Sequence, residues 1–424
     1  MKKYIILLFA SFLAIQFQLI AQPVISFQPT SFNETINDCD DSVSTTLTIY
    51  NTGNLDLDYE ILEVTPLNFA YITNSTDNSV SVLDLSSNTV VGAPIPVGSN
   101  PWRATLDPSG EFVYVSCRGA DSISVIRTSD NTVVDTIPVG SNPSGLAFTP
   151  DGNFAYVGNM DDDNVMVIDC NTNTVINTIT GISGPKDIVI TPDGKYAYVG
   201  TEGTGIVVIE IGPDVVIVNI SGAPSWVQSL AVTPDGRYVY ASEGDGGSVV
   251  VAIDVSTNAV IATIGGFDSP HELDVTPDGR FVYVADMDDN EIEVIEVSTN
   301  TIVATVFEPA LNSIAWGLAI SRNGKYAYVA VSDGPPSLFI LDIGTNSFIS
   351  SASLPGNNAK GISTLEKGVP WLAEIPIVGT ITPVEDSVVI DVTFYASGLS
   401  NGTYTTNLYV RSNDSTSLID TIPV

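Results

Sequence analysis

The chain has 424 residues, and 49 acidic against 14 basic side chains give it a formal charge of −35. A field of that sign repels nucleic acid and anionic membrane surfaces, so neither is an expected partner and no membrane insertion is expected. Apolar residues make up 44%, and their richness in Val, Ile and Tyr favours strands over helices.

Residues 1–22 read as a signal peptide. Lys2 and Lys3 form a basic start, Ile5 to Ile20 an apolar run, and Ala21 and Gln22 precede the expected cut. The run is short for a membrane span, and no later segment is apolar enough to cross a bilayer. An exported, bacterial-looking chain on the cell surface or released from it is the expectation. Cys39, Cys117 and Cys170 are far apart and odd in number, so they read as isolated thiols rather than a redox or metal site.

Strand patterns follow near Val24 to Phe27, Thr45 to Tyr50 and Asp58 to Glu63, with a turn at Asn51-Thr52-Gly53. Then a repeat takes over. Pro-Asp-Gly turns begin at Pro150, Pro192, Pro234 and Pro277, with degenerate copies at Pro108 and Arg322; the spacings from Pro108 to Pro277 are 42, 42, 42 and 43. That period fits one four-stranded propeller blade. Within residues 145–179, short apolar strands alternate with polar turns, and the third strand of a later repeat, Glu291 to Val294, alternates openly. A second-strand tyrosine counts the units: Tyr71, Tyr114, Tyr156, Tyr198, Tyr240, Tyr283 and Tyr328 make seven. The first unit lacks its own innermost strand. Gly361-Ile-Ser-Thr364 aligns with Gly145 to Phe148 and is expected to supply it, closing the ring. The fold expected is all-β, a seven-bladed β-propeller over residues 67–368.

Beyond the repeat, Trp371-Leu372, Val388 to Tyr395, Thr403 to Arg411 and Leu418 to Val424 read as strands. With the three N-terminal strands they total seven, the number of an Ig-like sandwich. Residues 23–66 and 369–424 are therefore expected to form one split domain, with the propeller inserted between its halves. Insertion is easy where the inserted unit has close ends. Two unrelated half-modules are the alternative. The chain ends on a strand pattern, which suggests a fragment of a longer protein carrying further Ig-like modules.

Tyr156-Val157-Gly158-Asn159, Thr191-Pro192-Asp193-Gly194 and Ser298-Thr299-Asn300-Thr301-Ile302-Val303 resemble the YVTN family of β-propeller repeats, whose members include surface-layer-type proteins. Lactonase and quinoprotein propellers are similar in architecture. The paired end segments, including Tyr59 and Trp371, resemble an Ig-like module of bacterial surface proteins.

The turns leading into the innermost strands crowd around one mouth of the channel. Counting six residues back from each turn proline or its equivalent gives Trp102, Ser144, Lys186, Gln228, His271, Trp316 and Lys360. The next position gives Arg103, Gly145, Asp187, Ser229, Glu272, Gly317 and Gly361, and Trp226 lies beside Gln228. Three of the four tryptophans and the only histidine thus gather at one end. Aromatics beside Lys, Arg and carboxylates suit a pocket for a polar or carbohydrate-like ligand, or a partner protein. The same residues also suit a structural plug, with Arg103 and Lys186 pairing with Asp187 and Glu272.

Catalysis is not expected. His271 and Glu272 are sequence neighbours, so on a strand they diverge, and no Gly-x-Ser-x-Gly elbow, Walker loop or HExxH is present. No cofactor is expected. The acidic turns Asp161 to Asn164 and Asp286 to Asn290 offer oxygens to Ca²⁺, but read first as solvated turns. The leading expectation is a non-enzymatic binding propeller. A lactonase-like enzyme acting on a small lactone or sugar, and a purely structural surface-layer component, are the alternatives.

Overall fold

A computed structural model describes residues 68–366, except 86, 88, 245, 288–289, 309–314, 322–323, 333–337 and 357, and outside that range only individual strands. Every described element is a β-strand. Two units separate: residues 1–67 with 367–424, and residues 68–366.

The second unit is a ring of seven antiparallel sheets. Blade two runs Pro101–Leu106, Phe112–Cys117, Ser122–Arg127 and Thr132–Pro138 from the axis outward, and blades three to seven repeat the pattern. Blade one takes its innermost strand from the far end of the unit. Ala359–Glu366 pairs with Asn68–Asn74, with Ser363 opposite Tyr71 and Thr364 opposite Ala70. Both edges of the ring are thereby joined without a covalent link. The outer strand of this blade is broken, with Thr89–Val90 and Ile95–Pro96 both pairing with Ser79–Asp84. Gly92 at φ 68° lies in the break.

The repeated residues have repeated structural tasks. Each counting tyrosine is buried between blades. In blades one to six its hydroxyl donates to an Asn or Asp in the turn before the outermost strand of the next blade, among them Tyr71 to Asn131 at 2.6 Å, Tyr240 to Asn300 at 2.6 Å, Tyr283 to Asn346 at 2.6 Å, and Tyr156 to Asp214. Those acceptors sit at positive φ, 55° at Asn131 and 53° at Asn300, where Asn and Asp are tolerated best among residues with a side chain. At the same end of the blades, where each innermost strand finishes, the Pro-Asp-Gly turns nest. Gly194 has φ 69°, and a Cβ there would come within 3.3 Å of Pro150 in the preceding blade. Between blades the core is Val, Ile, Ala and Tyr, as around Tyr156, Ile188 and Val199. The outermost strands present β-branched residues such as Ile176, Ile261 and Val303 to solvent, which suits an extended backbone rather than burial.

In the first unit, Ile25–Gln28, Ser42–Asn51, Ser387–Tyr395 and Leu372–Ile375 form one sheet in that order. Val378–Ile381, Leu57–Glu63, Asn407–Ser412 and Ile419–Pro423 form another. Each sheet draws strands from both chain ends; Ser42–Asn51 pairs with Ser387–Tyr395 along nine positions. Val378–Ile381 is a strand that the sequence pattern did not suggest. The leader expected over residues 1–22 lies outside the described residues, apart from Ile6–Leu7, which pairs with Asn33–Glu34. Trp371 and Cys39 also lie outside them.

Candidate functional site at the channel mouth

A local device at the start of the innermost strands aims side chains at one mouth of the channel. Just before several innermost strands the chain passes through positive φ, 51° at Asn100, 56° at Asn142, 54° at Gly184 and 74° at Ser269. At the first three the amide is held by a side chain of the preceding blade, and at Ser269 by the Gly247 carbonyl. Asn100 N–H donates to Asn78 Oδ1 at 2.8 Å, Asn142 N–H to Asp121 Oδ1 at 3.0 Å and Gly184 N–H to Asp163 Oδ1 at 2.8 Å. Each innermost strand then slips register in its first residues, between Pro101 and Arg103, Pro185 and Asp187, Val227 and Ser229, and Ala315 and Gly317. Trp102, Lys186, Gln228 and Trp316 are the residues skipped. Such a bulge bends the strand and re-aims a side chain.

The mouth encloses a cavity of about 150 Å³ lined by Trp102, Arg118, Met160, Lys186, Glu202, Gln228, Ser269, His271, Met287 and Trp316. Its aromatic wall is continuous. Trp102 and Trp316 meet edge to face at 5.4 Å, and His271 meets Trp316 at 4.5 Å. Cations cover the rings: Arg118 lies 3.4 Å from the Trp102 centroid, Lys360 3.3 Å from that of Trp316, and Lys186 4.7 Å from that of Trp226. Such contacts contribute roughly 0.5–2 kcal/mol each, more as water is excluded. Gln228 Nε2 lies 2.7 Å from His271 Nε2. Burial, and then the charges of Lys186, Arg103 and Lys360, hold His271 well below its usual range, so the ring is neutral.

Below this ring lies a second polar layer. Arg103 Nη2 is 3.1 Å from Asp187 Oδ2, and Nη1 is 2.5 Å from Glu272 Oε1. The Ser229 hydroxyl lies within 3.1 Å of Asp187 and 3.0 Å of Glu272, and Leu230 N–H donates to Asp187 at 2.8 Å. Burial pushes the Glu272 carboxyl up, against the downward pull of Arg103. The glycines of this layer let neighbouring strands close up; a Cβ on Gly145 would sit 2.5 Å from Asp187 Cα.

The structure therefore divides the expected site residues. Trp102, Lys186, Gln228, His271 and Trp316 line the cavity. Trp226 and Lys360 support it from behind through Lys186 and through Trp102 and Trp316. Arg103, Asp187 and Glu272 turn to one another and not to the cavity. Arg103 makes the pairings with Asp187 and Glu272 that the plug reading supposed, while Lys186 pairs with Glu202 at 3.3 Å. Sequence reasoning missed Arg118, Met160, Glu202 and Met287. They stand four residues after Tyr114, Tyr156, Tyr198 and Tyr283, and the equivalent after Tyr240 is Gly244, where a Cβ would lie 2.7 Å from Trp226. A count forward from the tyrosines would have found them.

The acidic turn residues serve the backbone. Asp162 accepts from Ser141 N–H at 2.8 Å and Asp163 from Gly184 N–H at 2.8 Å; Asp288 and Asp289 lie outside the described residues. Cys117 and Cys170 are unpaired.

Fold and site together define a seven-bladed β-propeller with one furnished channel mouth. The family profile described as Lactonase, 7-bladed beta-propeller, matches residues 64–179 and 176–311. The chain belongs to that family. No curated protein matches the sequence. Among solved structures, a functionally unknown protein from Desulfotomaculum acetoxidans is similar with TM-score 0.60 and 16% identity, over 70% of this chain and 99% of that one. Kuenenia stuttgartiensis hydrazine synthase is similar with TM-score 0.57 and 22% identity, over 68% of this chain and 96% of that one. Dihydro-heme d1 dehydrogenase NirN follows with TM-score 0.54 and 18% identity, over 73% and 80%. At these identities the likeness is one of fold.

Proposed function

We propose that the propeller is a non-enzymatic binding module that takes a small ligand at the channel mouth, carried by an exported or surface-displayed chain. One observation carries the reading: a cavity whose aromatic wall is Trp102, His271 and Trp316, with Arg118 and Lys186 beside it, in a chain of charge −35. The fold does not require these residue types, since equivalent positions in other blades hold Ser144 and Gly244. The volume of about 150 Å³ favours a molecule near one six-membered ring over an extended glycan. The repeat's likeness to YVTN propellers fits such a role. The strand exchange between chain ends supports an Ig-like carrier module around the insertion.

A second reading is favoured by the family itself: hydrolysis of a small lactone. Its candidate base is neutral His271, whose Nε2 faces the Gln228 amide. The neighbouring carboxyl of Glu272 is engaged by Arg103 and Ser229, which leaves the histidine without a carboxylate to orient it for base catalysis.

A thermal-shift screen of small molecules separates the readings. The wild type should be stabilised by a subset of compounds. The folded variant combining Trp102→Ala, Lys186→Met and Trp316→Ala should lose those shifts. Retention of full binding by that variant rules out this site. Lactone turnover that disappears in His271→Ala would replace the binding reading with the enzymatic one.

A further inference from the structure

Arg118 Nε and Trp316 Nε1 are buried and without a hydrogen-bond partner, and both residues line the cavity. An arginine Nε and an indole nitrogen carry a hydrogen and offer no lone pair. Arg118 Nε and Trp316 Nε1 are therefore donors. His271 turns its ring to the Gln228 amide through Nε2 and is also engaged by the Trp316 backbone. A buried donor left unmade is costly, so two of them on side chains that line one small space favour an acceptor-bearing occupant.

The charges agree. Arg118 lies against Trp102 and donates to Ser144 Oγ at 2.7 Å, with Met160 Sδ 3.3 Å away. Among the described residues no carboxylate lies within ion-pair distance of it. Burial, and then the charge of Arg103, pull its guanidinium down to about 9, while Glu202 and Asp161 pull more weakly the other way. The carboxylate on the wall, Glu202, is engaged by Lys186 at 3.3 Å. The remaining wall is Trp102, Trp316, Met160 and Met287, flat rings and polarisable thioethers.

We infer that the ligand is a compact carboxylate, its charged end on Arg118 and its neighbouring donors, and its apolar part against Trp102, Trp316, Met160 and Met287. The inference rests on the channel mouth being a binding site and adds the charge and size of what enters it. A charge-assisted hydrogen bond to Arg118 is roughly twice as strong as a neutral one, which makes charge the main discriminator.

Calorimetric titration of the full chain with benzoate, benzamide and pyruvate tests it. Benzoate or pyruvate should bind about tenfold tighter than benzamide, a neutral molecule of benzoate's shape. Arg118→Gln should abolish that preference. Trp316→Phe keeps a ring and drops the N–H, so it should weaken carboxylate binding with little effect on benzamide. Equal binding of benzoate and benzamide, or an unchanged ratio in Arg118→Gln, overturns the inference but leaves a neutral-ligand site standing. Failure of both carboxylates to bind at millimolar concentration also overturns it. The library screen above then decides whether the mouth binds anything at all.

Discussion

Glu293 stands where other blades place Ser81, Ser124, Met166, Val207, Val251 or Phe339 opposite the second strand. It is 3% exposed, and its Oε2 has no hydrogen-bond partner. Burial, and then the charges of Asp286 and Glu291, push its carboxyl up to about 8. The folded chain therefore holds a proton that the unfolded chain releases near the ordinary glutamate value. Stability from this residue is complete in acid. It falls as the pH climbs past that ordinary value, by about 1.4 kcal/mol per pH unit, and levels off above 8. Glu293→Gln should remove the slope. Its melting temperature should match the wild type near pH 4 and exceed it at pH 8. A constant difference across that range would show that Glu293 is not the titrating group.

Single residues also explain the repeat. The counting tyrosine and the Asn before the outermost strand are partners across blades, so each fixes the other, as Tyr240 and Asn300 do at 2.6 Å. The varied residues stand where the bulge of the innermost strand turns side chains away from the blade stack. This is why Trp102, Lys186 and Trp316 are free to differ while Tyr114, Tyr198 and Tyr328 are not.

At the scale of elements, the closing strand is the least protected by local sequence, because Ala359–Glu366 and Asn68–Asn74 meet across nearly the whole propeller. Gly361 sits at the joint. A Cβ there would lie 2.6 Å from the Trp102 carbonyl oxygen and 2.8 Å from Arg103 Cα, closer than real contacts allow. Gly361→Val should open blade one selectively. Hydrogen exchange should show lost protection at Asn68–Asn74 and Ala359–Glu366, with Tyr196–Thr201 on the opposite side unchanged. A uniform loss, or none, would mean that closure does not depend on this approach.

The blades and their number were legible because turn chemistry recurs at a fixed period, and Pro-Asp-Gly and Asn mark backbone shapes that few residues adopt. The mouth was legible only in part. Counting back from the turns found the bulged residues, but the cavity is shared with residues that follow the second strand, such as Arg118 and Met287, which arrive from a different part of the repeat. The alternation that separates His271 from Glu272 also separates Trp102 from its neighbour Arg103. One residue along a strand reverses the side chain, sending the first to the cavity and the second to Asp187 and Glu272.

At the scale of the whole molecule, the contrast is between an acidic chain and a basic, aromatic mouth. At this channel end Arg103 is engaged by Asp187 and Glu272 and Lys186 by Glu202, while Arg118 has no carboxylate within ion-pair distance among the described residues, in a chain carrying 49 carboxylates. Low-dielectric walls strengthen such a local field where solvent is thin, so the mouth can attract an anion that the outer surface repels.

The tryptophans make this testable in the unmodified chain. Trp102, Trp226 and Trp316 stand at the mouth, and Trp371 is the fourth. Titration with benzoate, followed by intrinsic tryptophan fluorescence, should give a saturable change with the midpoint found by calorimetry. That change should vanish when Trp102 and Trp316 are both replaced by Phe. Calorimetric binding that leaves the tryptophan emission untouched would place the ligand elsewhere and contradict a functional channel mouth.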